Sequence, residues 1–353
     1  MTIDDKSDDW CLEYLRFTRA EIKEIAFVLQ IPSVFRYRIR YTPYDALALV
    51  LYRLSAPLRL KDLTHTFNRD LGWMSIIFND VCIHIDRKFH EKLDWDRHFL
   101  TPHRLKSYCE HIQANGEPSG VIWGFIDGTH RKICRPQPET CDQSLLYSGY
   151  KHAHTIVFQG IITPDGLLVH VKGPYEGRSS DWGIWKDSGM EQKLKEFSKD
   201  EEGTQLWVYG DAGYTMTKGL MSSFRVQGAT ANRTAVPLQE DQEVFNANMS
   251  RQRIAVEWGF GKLVTTFAFI DFHKKLKLGL SPVGSVAFAA VILTNVHTCY
   301  HGSEVGSYFE CDPPTIWEYF GVDRTDYHGL DMDGSEEQTG GESGLEEDIL
   351  DNE

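Results

Sequence analysis

Apolar residues recur at helical spacing through the first third of the chain and in short unbroken runs after it. Residues 21–29 carry the spacing of a short helix, and residues 42–55, TPYDALALVLYRLS, that of a clearer one, with Thr42 as cap and Pro43 in the first turn. Residues 60–70 and 72–93 predict two more helices joined by a short turn. Beyond the turn-rich NGEPSG at residues 115–120, a plausible domain boundary, the pattern changes. VIWGFID reads as a buried strand; residues 151–163 and 167–173 read as two more, joined by a tight turn at Pro164, Asp165 and Gly166. Residues 181–197 predict a helix, residues 205–211 a fourth strand, and residues 239–263 one long helix. TTFAFIDF predicts a short extended piece, and residues 281–301 a central helix, apolar nearly all round.

Successive strands followed by a strand and covering helices give an α/β fold, a three-layer mixed sheet flanked by helices. Four segments are expected: a flexible arm over 1–20, an all-helical domain over 21–114, a domain built on the sheet over 120–327, and a disordered acidic tail over 328–353. The paired helices at 60–70 and 72–93, the second ending in Arg87 and Lys88, have the layout of a helix-turn-helix. A small helical subdomain packed on the sheet domain has the same pattern.

Composition narrows this only a little. With 353 residues, 41% hydrophobic and 25% charged, the chain has the make-up of a soluble globular protein. The apolar run around residues 283–296 is interrupted by Gly284, Ser285, Thr294 and Asn295, so no membrane span is expected. The start, MTIDDKSDDW, lacks the layout of a signal peptide. Seven cysteines without paired spacing suggest reduced thiols inside a cell and no structural zinc. The net charge of −14 falls largely on residues 331–353, which hold ten acids and no Lys or Arg; taking those ten away leaves −4 for residues 1–330. Local basic patches are compatible with that balance.

Three carboxylates stand out. Asp127 closes the strand-like VIWGFID, Asp211 closes QLWVYGD, and Glu257 is the only acid in RQRIAVEWGFGKL, residues 251–263. Arg253 and Glu257 share a helix face. An acid among apolar neighbours needs a partner, a metal or a proton. Asp127 and Asp211 at the carboxyl ends of neighbouring strands would point into one crevice, with Glu257 arriving from a helix across it. Such a trio suits divalent cations acting on a phosphodiester, since hard ions take oxygen ligands. Each acid also has a plainer reading: turn caps for Asp127 and Asp211, an ion-pair partner of Arg253 for Glu257. Asp181 reads first as the N-cap of the helix it opens, and second as an auxiliary group of the site.

IDGTH (residues 126–130), YSGYKHAHTIVFQGIITPDGLLVHV, SSDW (179–182), YGDAGY (209–214), FNANMSRQRIAVEWGFGKL and LTNVHTC occur in an order that resembles the PIF/Harbinger-type DDE transposases. The similarity spans about residues 121–301, and the helical region before it resembles that family's N-terminal helix-turn-helix. The resemblance implies an RNase H-like fold and a nuclease or transposase with Asp127, Asp211 and Glu257 as catalytic and metal-binding residues and Mg²⁺ or Mn²⁺ as cofactor. It also implies DNA as substrate, water as the nucleophile in cleavage, and the freed 3′-hydroxyl as the nucleophile in joining. A separate Myb-like DNA-binding partner protein, a homo-oligomer, and a place in the nucleus or also the cytoplasm are further expectations from it. Arg131, Lys132, Lys151, Arg178, Arg253 and Lys262 flank the crevice in sequence and are the DNA-binding candidates. Two departures stand against the family pattern: Asp211-Ala212-Gly213-Tyr214 where Asp-Ser-Gly-Tyr is common, and no histidine before Asp181. The alternative reading is a domesticated, non-cutting protein that keeps the scaffold to bind DNA or a partner.

Overall fold

A computed structural model describes residues 1–226 and 237–327, and the chain divides into Met1–Gly321 and Val322–Glu353. The tail expected over 328–353 lies outside the described residues. In the second unit Thr325 Oγ1 donates to Asp323 Oδ1 at 2.8 Å.

The first third is helical: α1 (Asp8–Leu15), α2 (Arg19–Val28), α3 (Pro43–Ser55), α4 (Thr64–Phe67), α5 (Leu71–Phe89) and α6 (Pro102–Ala114). Caps fix the starts of α3 and α5, the first as the sequence suggests. Thr42 Oγ1 accepts from Asp45 N at 3.3 Å ahead of Pro43, and Asp70 Oδ1 accepts from Trp73 N at 2.9 Å. The helix expected over 60–70 is instead a 3-10 turn, Leu60–Leu63, and the single turn α4; Asn68, at φ 49°, turns the chain out of helix before α5 begins. Met74, Ile77, Val81 and Ile85 bury one face of α5, which packs against α3 and the central helix α12 (Val283–His301). At 115–120 the Glu117 carboxylate is buried and accepts from Ser119 N at 2.7 Å and Gly120 N at 2.5 Å, closing the turn before the sheet.

The sheet has six strands: β1 (Ile122–Lys132), β2 (Tyr147–Ser148), β3 (Ala153–Ile162), β4 (Leu168–Glu176), β5 (Trp207–Gly210) and β6 (Leu220–Ser222). Their order is β2–β3–β1–β5–β6, with β4 also pairing β3. β3 is antiparallel to β1 and β4, whereas β5 runs parallel to β1 and β6 parallel to β5. A short helix, α7 (Gln143–Leu146), precedes β2, and α8 (Asp181–Ser188) and α9 (Met190–Phe197) lead from β4 to β5. The single helix expected over 181–197 is thus two, broken at Gly189, whose φ of 69° suits a residue without a side chain.

The expected helix over 239–263 is also two, α10 (Glu240–Gln252) and α11 (Ile254–Thr266), hinged at Arg253. TTFAFIDF is not extended: it finishes α11 and turns through the 3-10 segment Ala268–Asp271. α12 is the core helix the apolar run predicts. It is long and apolar enough to cross a membrane by length and composition, but 67% of that span is buried inside the fold. Its one inward amide is fully matched: Asn295 Oδ1 accepts from Leu168 N at 2.9 Å, and Nδ2 donates to Leu168 O at 2.8 Å and Tyr319 Oη at 2.9 Å. Two short helices, α13 (Glu304–Phe309) and α14 (Ile316–Phe320), complete the described fold, a mixed α/β sheet flanked by helices.

Candidate active site

The apolar run that predicts β1 ends at Asp127, but the strand does not. It continues to Lys132, because residues 127–132 pair with β3 from Gly160 to Thr155. What stops near Asp127 is the other neighbour. The parallel ladder ends with Ile126 opposite Gly210, so Asp127 and Asp211 are the first residues beyond it on adjacent strands. Equal register on parallel neighbours places the two acids side by side, at the edge where open α/β sheets gather ligands.

Their local bonds differ. Asp127 Oδ1 accepts from Gly128 N at 2.8 Å, and Oδ2 from Arg253 Nη1 at 3.0 Å. Asp211 Oδ1 accepts from Gly213 N at 2.8 Å, which shapes the turn into Tyr214, so the turn-cap reading also describes it. Burial pushes the Asp127 carboxyl up; the Gly128 amide and Arg253 oppose that rise and Asp211 adds to it.

Arg253, at the break between α10 and α11, joins the third acid to this pair. Its Nη2 lies 3.3 Å from Glu257 Oε1, one helical turn on, while Nη1 holds Asp127. The Asp127 and Arg253 side chains are 22% and 24% exposed and that of Glu257 is 58% exposed, so the inner bond is the less screened one. Glu257 therefore reaches Asp127 through a guanidinium.

A fourth carboxylate comes from the opposite face. Asp127 stands across from Gly160, whose missing side chain leaves room for Phe260 of α11; Gly128, next along β1, faces the other way, and there the Asp181 carboxylate fills the space. Asp181 is not the N-cap the sequence suggests. Ser180 has that role, its Oγ accepting from Gly183 N at 3.2 Å, and Asp181 stands in the first turn of α8. Burial, then the charges of Asp127 and Asp211, push its carboxyl up to about 6.

Two residues beneath these acids were not among the expected site residues. Gln159 Nε2 donates to the Asp181 backbone oxygen at 3.0 Å and to Tyr214 Oη at 2.9 Å. The Tyr214 phenol is pushed well above its ordinary range by burial and by Asp181, Asp127 and Asp211. Tyr214 lies within the GDAGY motif, so its place beside Asp211 could have been marked; Gln159 lies mid-strand among apolar residues and could not.

The expected DNA-binding residues are spread more widely. Lys132 and Lys151 are exposed, with Lys151 Nζ 4.6 Å from the Tyr150 ring, and Arg178 lies 4.0 Å from Glu176 on the surface. Arg131 lines an apolar cavity with Phe158, Phe260 and Val286, where burial lowers its pKa. Arg253 is engaged by the two acids. Lys262 donates to the Gly302 carbonyl and is pushed down to about 8 by burial, in a cleft of about 550 Å³ that Glu257 borders.

Among the described residues no three His, Cys, Asp or Glu side chains close on a single point as a metal cage would. The donor chemistry nevertheless fits a hard cation: every group here offers oxygen, and Asp127, Asp181 and Asp211 repel one another. Mg²⁺ keeps several waters and needs only one or two protein carboxylates besides substrate phosphate, so a closed cage is not required.

Residues 126–295 match the family described as DDE superfamily endonuclease, a span that takes in Asp127, Asp181, Asp211 and Glu257. No curated protein and no solved structure matches the chain.

Proposed function

We propose that this chain is a divalent-metal-dependent DNA nuclease and transposase of the Harbinger type, with an RNase H-like arrangement of its sheet. The observation that carries the proposal is the register of β1 and β5, which sets Asp127 and Asp211 side by side within the endonuclease match. In this reading Asp127 and Asp211 hold Mg²⁺ or Mn²⁺ and Glu257 completes the site. The cation, when bound, neutralises charge on the phosphodiester and lowers the pKa of attacking water. The chain's own residues prepare the place for it. Arg253 keeps Glu257 turned toward β1 and screens Asp127 from Glu257. Gln159 and Tyr214 fix the floor beneath the acids, and the protonated phenol stays a hydrogen-bond donor across the neutral range.

DNA is the substrate of this reading, and Lys132, Lys151 and Arg178 are the exposed cations for its phosphates. The exposed end of α5, with Arg87 and Lys88, is the part of the helical region offered to a duplex. A Myb-like partner would add the positive charge that a body at −4 lacks, and a DNA substrate places the protein in the nucleus. The test is nicking of terminal-repeat DNA in Mg²⁺ or Mn²⁺. Asp127→Asn, Asp211→Asn and Glu257→Gln each abolish it; full activity in any of the three rejects that residue's role. A wild type that binds the DNA but never cuts it moves the protein to the non-cutting, domesticated reading.

A further inference from the structure

The DDE reading uses three acids, and the structure brings a fourth against them. Asp181 sits over Gly128 so closely that a Cβ built on that glycine would lie 2.0 Å from Asp181 Oδ1 and 2.9 Å from its Cγ. Any side chain at 128 would evict the carboxylate. The contact is also not needed to begin α8, because Ser180 already supplies the cap. Among the described residues the Asp181 carboxylate makes no ion pair and no hydrogen bond, and its charged neighbours are Asp127 and Asp211. Three carboxylates drawn together, with Arg253 bonded only to Asp127 among them, cost stability.

A second observation lies directly beneath. Gln159 is wholly buried, its amide nitrogen is shared between the Asp181 backbone and Tyr214, and its Oε1 has no partner. Gln159 is the register partner of Gly128, so this orphaned oxygen belongs to the same side of the sheet as Asp181. A buried carbonyl-type acceptor left unsatisfied calls for a donor, such as the water of a bound ion.

We infer that Asp181 is a fourth acidic group of the site, which holds the divalent cation of Asp127 and Asp211 through that cation's waters, from the face opposite Glu257. The inference rests on the cation-dependent reading above. It makes the glycine after Asp127 part of the metal site: Gly128 is the gap through which α8 delivers its acid. Glu257, beyond Arg253, then serves the outer, more exposed side.

Mn²⁺ binding to the full chain, followed by calorimetry and by the loss of free Mn²⁺ signal in electron paramagnetic resonance, tests this without any turnover. Asp181→Asn weakens Mn²⁺ roughly ten-fold or more. Gly128→Ala, which keeps every carboxylate but displaces Asp181, does the same. Asp187→Asn, on the same helix but bonded to Tyr175 Oη, leaves affinity unchanged. Circular dichroism confirms that each variant is folded. If Asp181→Asn binds Mn²⁺ within two-fold of wild type while Asp127→Asn does not, Asp181 does not hold the cation and only this inference falls. A wild type that binds no Mn²⁺ overturns it as well. If Asp181→Asn loses Mn²⁺ but the wild type cuts no DNA under any condition, the fourth acid stands and the nuclease reading falls.

Discussion

Asp181→Asn should make the metal-free protein more stable at pH 7, an unusual outcome for a substitution in a buried site. The magnitude follows from the charge it removes. The carboxyl stands at about 6 in the fold against 3.8 for a free side chain, and each pKa unit is worth about 1.4 kcal/mol. The full difference is about 3 kcal/mol; because the group is partly open to solvent, which screens it, the share released by one substitution is about 1–3 kcal/mol. The sign is set by the raised folded-state value. Folding tightens this proton, so the penalty is complete above about 6 and fades as the pH falls through that value toward 3.8. Urea unfolding in EDTA measures it: the Asn variant leads at pH 7 and the lead shrinks by pH 4.5. Added Mn²⁺ should reverse the order, since a ligand at a hundred times its Kd stabilises the wild type by about 2.7 kcal/mol. An Asn variant less stable than wild type at pH 7, or a lead unaffected by acid, would refute the electrostatic picture of the site.

Other outcomes follow from the same geometry. Arg253→Gln takes away the cation that opposes the burial-driven rise of the Asp127 carboxyl, so the acid limb of Mn²⁺ binding moves to higher pH; an unmoved limb means that the pair does not form in solution. Asn295→Leu strands the amide and carbonyl of Leu168 at the start of β4 and the Tyr319 hydroxyl, costing about 2–4 kcal/mol in chemical unfolding, and a loss under 1 kcal/mol would show that these bonds are replaced. Tyr108→Phe removes the 2.5 Å bond to buried Asp165 and should cost about 1.5–3 kcal/mol, measured in the same way.

The elements that the sequence made legible are those whose signal is local. Thr42 and Pro43 announce α3, and the long, largely apolar run announces α12. The misreadings come from tertiary causes. β1 outlasts its hydrophobic run because the polar residues from Asp127 to Lys132 are carried by ladder bonds to β3, which no property of β1 reports. The long helix at 239–263 breaks at Arg253 with neither proline nor glycine there, where the guanidinium is drawn between Asp127 and Glu257. In the site, Asp127 and Asp211 could be paired from sequence because each follows a strand-like run of similar length. Asp181 could not: serine and aspartate in succession both make acceptable caps, and only the empty space over Gly128 decides which one turns inward.

Crystals soaked in Mn²⁺ and measured for anomalous scattering put the central claim to its most direct test. The account predicts a peak within about 2.0–2.3 Å of carboxylate oxygens from both Asp127 and Asp211, beyond the last pair of the β1–β5 ladder. Fully bound Mn²⁺ elsewhere on the protein, with no peak between those two acids, would contradict it.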